Sequence, residues 1–147
     1  MSSTAPTHYD SFTEARKSLK RILDSAEDGA VVSIERGDRV AVVTDRDRLR
    51  DLLIRAVPST ARVIVEADAW VIVIPDSPFA AEGQTLDDAL DDLIENLRDY
   101  ASEWPKHFVS APNHAGNWAL VQLVNLSTDE ALRDWLTSGP SDSAPAG

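Results

Sequence analysis

Phe12, Ala15, Leu19, Ile22 and Ala26 recur at intervals of three and four, which predicts one amphipathic helix with a single buried face. Ser11 and Glu14 have the S-x-x-E spacing of a capping box at its start. Gly29 is placed to end the helix in a left-handed conformation. AVVSIE (30–35) and RVAVVT (39–44) read as strands around an Arg36-Gly37-Asp38 turn. Asp45 then stands where a second helix needs its cap. That helix carries Leu49, Leu52, Leu53 and Ala56, and Pro58-Ser59-Thr60 closes it.

Beyond Pro58 the pattern begins again. RVIVEA (62–67) and AWVIVIPDS (69–77) predict two strands joined tightly around Asp68, with Pro75 and Pro78 stopping the second. Thr85 is the expected cap of a longer helix, with Asp87 and Asp88 in its first turn, where the helix dipole favours negative charge. Leu86, Leu90, Leu93, Ile94, Leu97 and Trp104 supply its buried stripe; Asp91, Asp92, Glu95 and Asp99 face outward, and Pro105 is expected to end it. The run NWALVQLVN (117–125) predicts a further strand. Ser127 or Thr128 then caps a last helix that packs Leu132, Trp135 and Leu136. The final SGPSDSAPAG holds no core-forming residue and is expected to be disordered.

Charge divides the chain at the same place. Net charge is -11 overall, yet residues 1–57 balance 10 basic against 10 acidic side chains, while residues 58–147 hold 4 against 15. All four tryptophans (Trp70, Trp104, Trp118, Trp135) also lie in the second part. This asymmetry predicts two units with different partners, one able to meet a polyanion and one able to meet a basic protein. The absence of cysteine excludes disulfides, thiolate metal sites and cysteine nucleophiles, and fits a cytoplasmic protein. The first ten residues lack the pattern of a signal peptide, and no apolar run approaches the roughly 20 residues that span a bilayer.

The residues at the joints of the first unit resemble the Phd/YefM family of dimeric, DNA-binding antitoxins. Thr13-Glu14-Ala15-Arg16 matches that family's T-E-A-R signature, and Arg36-Gly37 matches a basic residue plus glycine at its hairpin tip. Val40-Ala41-Val42 matches its P-V-A-V strand, with Arg39 in place of the proline. The resemblance implies a β-α-β-β-α dimerisation and DNA-binding unit over residues 8–57. It also implies that Arg16 and Arg36, with Thr13 and Gly37 of the same matched motifs, lie against DNA; Lys17 and Lys20, on the basic helix face, are candidate contacts beside them, with a solvated face as the equal alternative. The family's second basic residue at the hairpin is Glu35 here, a departure that would weaken phosphate contact.

Residues 71–104 resemble the HicB antitoxin core, a strand ending in Pro-Asp followed by G-x-T-L-x-x-A-L at a helix start. Pro75-Asp76 and Gly83-Gln84-Thr85-Leu86-Asp87-Asp88-Ala89-Leu90 carry the match; the usual Pro-Gly-Cys is replaced by Ser77-Pro78-Phe79. The resemblance, over about 35 residues, implies a similar β-β-β-α shape within a compact unit expected at 61–137; the composition-based disordered tail takes 138–147. The fold class expected for the whole is therefore α+β.

Catalysis is not expected. His8, His107 and His114 are loosely spaced, without carboxylate or thiolate companions at ligand spacing, so no metal site and no cofactor is predicted. The paired acids Asp87-Asp88 and Asp91-Asp92 lie on a helix exterior, where nothing apolar would raise a carboxyl pKa.

Taken with the two resemblances, these features lead to a type II antitoxin. It would repress its own operon as a homodimer on operator DNA, and would neutralise a co-encoded toxin through Asp91, Asp92, Glu95 and Asp99. A cationic ribonuclease of the RelE superfamily is the expected toxin, since an acidic surface can occupy its RNA-binding face. One alternative is a stand-alone transcription regulator whose second domain senses a ligand. The other is a metal-dependent hydrolase using His107, His114 or the acids.

Overall fold

The computed structural model describes residues 5–139 of the chain, which divides into two compact units, Met1–Asp51 and Leu52–Gly147. The division falls inside a helix, five residues after its start.

In the first unit a short strand β1 (His8–Tyr9) leads to α1 (Phe12–Lys17) and α2 (Leu19–Glu27). The hairpin β2 (Val32–Arg36) and β3 (Arg39–Val43) follows, then α3 (Arg46–Ala56). The strands form one sheet in the order β1-β2-β3, with β1 parallel and β3 antiparallel to β2. Gly37 takes a φ of +65° in the hairpin turn, a conformation that favours glycine. Tyr9, Ala15, Ile22 and Val32 make the core, with Ala30, Ile34 and Val43 packed against it.

The expected single helix is in fact two. At Ser18 the backbone N–H donates to both Glu14 O (3.1 Å) and Ala15 O (3.0 Å), so the turn tightens and the helical phase slips. Ile22 and Ala26 stay buried, but Leu19 is left exposed, as is Phe12. In α3 only Leu53 of the expected stripe is buried, while Leu52 and Ala56 are exposed. Asp45 caps α3 as its sequence position implies, accepting from the Arg48 N–H at 3.1 Å.

The second unit holds β4 (Arg62–Glu66), β5 (Ala69–Val73) and β6 (Ala80–Gly83) in one antiparallel sheet of that order. Ala67 and Asp68 both have positive φ, which closes β4 onto β5 with a two-residue turn. Helix α4 (Leu86–Glu103) packs across β5 and β6, and α5 (Trp118–Leu126) and α6 (Asp129–Thr137) pack on α4. Thr85 caps α4 and Thr128 caps α6, each side-chain oxygen accepting from the backbone three residues on. Gly83 permits the approach of β6 to α4, since a Cβ there would lie 2.6 Å from the Asp88 Cβ.

Residues 118–126 are helical, which corrects the strand expected over 117–125. A continuous apolar run suits a buried strand or a buried helix equally. Here Val121 and Val124, three apart, are buried together, and Leu123 joins them against α4. Pro105 does not end the helical path either. Residues Trp104–Phe108 form a wider turn that begins where the proline, having no N–H, cannot continue the α-helical ladder.

Arg98 ties this helical layer together. Its guanidinium donates to Val124 O and Ser127 O, both at 2.8 Å, and to Asp129 Oδ1 at 2.7 Å. Trp135 Nε1 donates to Val57 O at 2.9 Å, and buried Ser59 accepts from the Ala61 N–H. The segment after α3 thus belongs structurally to the second unit. Ser138 caps α6 by donating to Trp135 O; the rest of the expected tail, residues 140–147, lies outside the described residues.

Candidate nucleic-acid and partner interfaces

Ser11 Oγ accepts from the Glu14 N–H at 3.3 Å and so fixes the start of α1. This places Thr13 and Arg16 on exposed positions of its first turns. Arg36, at the end of β2, lies over the Phe12 ring with its guanidinium carbon 5.0 Å from the centroid. Phe12, read from spacing as core, is instead the platform that joins the hairpin tip to the helix start.

Arg16, Lys17 and Arg21 make no ion pair among the described residues. Lys17, Ser18, Lys20, Arg21 and Asp24 line a shallow depression of about 450 Å³ beside the break in the helix. Lys20 Nζ donates to Asp24 at 2.9 Å; that hydrogen bond, and then the charge of Asp24, raises the Lys20 pKa above its usual value. Lys20 is therefore partly engaged, whereas Arg16 is free to reach a phosphate or a base edge. Glu35 does not stand beside Arg36. Neighbouring residues of a strand point to opposite faces, and the Glu35 carboxylate is hydrogen-bonded to His8 Nε2 at 2.6 Å.

In the second unit the acidic residues along α4 differ in their partners. Asp87 and Asp91 both pair with Arg133 of α6, the former at 3.1 Å. Asp92, Glu95 and Asp99 are exposed and make no ion pair among the described residues. Asp92 lines a shallow depression of about 420 Å³ together with Glu66 and Glu82 from the sheet. Sequence reasoning missed these two carboxylates. They are far from α4 in the chain, and only the hairpin closure at Ala67-Asp68 and the β6 return bring them near it.

His114 lies in a turn and is held by its neighbours. Its Nδ1 is 2.9 Å from the Tyr100 hydroxyl, its carbonyl accepts from Trp104 Nε1, and its ring lies 4.5 Å from that of Phe108. Asn117 also donates to the Tyr100 hydroxyl at 2.9 Å. Among the described residues no three His, Cys, Asp or Glu side chains are grouped to hold a metal ion. No helix among them is long and apolar enough to cross a membrane.

Residues 7–134 match a PHD-like family described as the antitoxin of a RelE/RelB toxin–antitoxin system. The chain belongs to that antitoxin family. A crystal structure from Syntrophomonas wolfei subsp. wolfei, described as the antitoxin part of a proposed toxin/antitoxin system, superposes with a TM-score of 0.71. The two share 20% identity, and the alignment covers 87% of this chain and 94% of that one. At such identity the likeness is one of fold: a mixed α+β chain. A comparison with curated proteins finds no match. Family membership places the chain with antitoxins rather than with stand-alone regulators, and an antitoxin implies a cognate toxin.

Proposed function

We propose that this antitoxin silences a co-encoded ribonuclease of the RelE superfamily by direct binding and represses its own operon as a homodimer on operator DNA. The carrying observation is that, within an antitoxin family, two compact units present unpaired charge of opposite sign. Arg16, Lys17 and Arg36 in the first unit suit a phosphate backbone, with Thr13, Gly37 and Lys20 beside them. Asp92, Glu95 and Asp99, joined by Glu82, suit a cationic RNA-binding surface. Asp91 is withdrawn from that surface by Arg133. On this reading the first unit is Phd/YefM-like and the second HicB-like. Its dimer contact is the outer face of the first sheet, where Val40 and Val42 stand exposed.

Two full-length variants separate the activities. Arg16→Ala should weaken binding to the DNA upstream of the gene by about 1–3 kcal/mol per half-site, while still rescuing growth during toxin expression. Reversing charge at Asp92, Glu95 and Asp99 together should abolish rescue and leave operator binding intact. Equal operator binding by wild type and Arg16→Ala would remove the DNA assignment. Full rescue by the charge-reversed chain would remove the toxin assignment.

A further inference from the structure

Strand β4 is exposed at all five positions, and its three central residues are apolar: Val63 is 43% exposed, Ile64 42% and Val65 59%. It is an edge of its sheet, with β5 on one side only. The opposite edge, β6, has four residues and runs straight into α4, which packs over it. Among the described residues no helix packs over β4 in this way, and it carries no proline, lysine or bulge of the kind that protects an edge.

The backbone of β4 has a fixed polarity toward that open side. The two-residue turn makes Glu66 and Ala69 the closing, hydrogen-bonded pair of the hairpin. By the alternation of an antiparallel ladder, Arg62, Ile64 and Glu66 then bond to β5, and Val63 and Val65 aim their N–H and C=O groups outward.

The sequence of the strand, Arg-Val-Ile-Val-Glu, is its own complement when reversed. We propose that β4 pairs antiparallel with β4 of a second copy of this chain, about a two-fold axis through Ile64. Val63 of one copy then meets Val65 of the other in the hydrogen-bonded positions, where the free backbone groups are. Ile64 meets Ile64, and each Arg62 meets the other copy's Glu66. Both charged ends are available, since neither Arg62 nor Glu66 makes an ion pair or side-chain hydrogen bond among the described residues. The two three-stranded sheets become one of six strands. Val63 and Val65, on the same face as buried Ile72, fill the groove between the two α4 helices. The contact is isologous and closes on itself, unlike an open edge that would recruit strands without limit. It is independent of the contact assigned to the first unit, and needs neither DNA nor toxin.

Because the chain has no cysteine, a single Ile64→Cys in the full-length protein tests the register. Two such cysteines would face each other across the axis in the closer, non-hydrogen-bonded kind of pair. Under mild oxidant this variant should form a covalent dimer much faster than Val109→Cys, an exposed control position elsewhere in the unit. Adding Glu66→Arg or Arg62→Glu to the Ile64→Cys chain should slow cross-linking roughly tenfold, since each puts like charges opposite at both ends. Mixing those two slowed chains should restore the rate, as covalent heterodimers. In the wild-type chain, the Val63 and Val65 amides should show exchange protection that grows with protein concentration.

Cross-linking no faster than the control, or a rate indifferent to charge at Arg62 and Glu66, overturns the proposal. So does protection of Val63 and Val65 that arises only when a toxin is added, which would assign the edge to a toxin strand. Loss of operator binding with cross-linking intact would count against the first unit's role alone.

Discussion

In the first unit Ile22 and Val32 are the large side chains that are fully buried, whereas the second fully buries Ile72, Leu93, Leu97, Leu123, Leu132 and Leu136. The first leaves Leu19, Leu23, Val31, Val40 and Val42 exposed on a three-stranded sheet and two short helices. Helix α4 alone buries six side chains, and the second unit's main exposed apolar strip is confined to β4. A small unit that exposes this much apolar surface is marginal until something covers it. One unit thus leaves apolar surface that association could cover, and the other has a completed core.

That contrast can be broken most forcefully at Leu97. Leu97→Ala should destabilise the second unit by about 2–5 kcal/mol, because Leu97 is fully buried on a helix packed against β5, β6, α5 and α6. Ile22→Ala in the first unit should fall toward the lower end of that range, since the surrounding surface is free to collapse. Denaturant melts of the two full-length variants check the order; an equal or greater loss at Ile22 would erase the distinction between the cores.

A smaller effect is expected at Arg98. Arg98→Met keeps much of the side chain's bulk but removes the charged donor shared by Val124 O, Ser127 O and Asp129, and should cost about 1.5–3 kcal/mol. Amide exchange should show the loss concentrated in α5 and α6, with the first unit unchanged. Smaller still is the difference between the caps. Thr85→Ala should cost about 1 kcal/mol, while Ser11→Ala, at the longer 3.3 Å bond, should cost about 0.5 kcal/mol. Circular dichroism melts of the pair would sharpen the comparison at the scale of one hydrogen bond.

Much of the fold was legible in the chain because its signals were local. The Thr85 and Thr128 caps, the Leu90–Leu93–Ile94–Leu97 stripe and the closing turn at Ala67-Asp68 each lie within a few residues of what they determine. Helix α5 reads equally as a strand because seven apolar residues in nine carry no period that separates strand from helix. The slip at Ser18 left no trace in the spacing, since Ile22 and Ala26 stay in phase with Ala15 under either geometry. At the candidate sites the residue types were readable and their pairings were not. Asp91 is bound to a residue 42 positions away, and Phe12 lies under one 24 positions on, distances at which periodicity is silent. That β4 would be a strand was clear; that it would be a bare edge depended on where β6 returned.

The placement of the indoles has an optical consequence. Trp104 and Trp135 are buried and hydrogen-bonded, Trp70 is partly buried in β5, and Trp118 stands half-exposed at the start of α5, so indole emission originates wholly in the second unit. The first unit has Tyr9 alone as a near-ultraviolet chromophore beside its phenylalanine. Unfolding of the first unit should therefore pass almost unseen in fluorescence while the far-ultraviolet signal records it. The gap between those two curves is a direct reading of the weaker unit, obtained without a label. Cover placed over the start of α5 would, in turn, shift the emission of Trp118 while Trp104 and Trp135 remained as internal references.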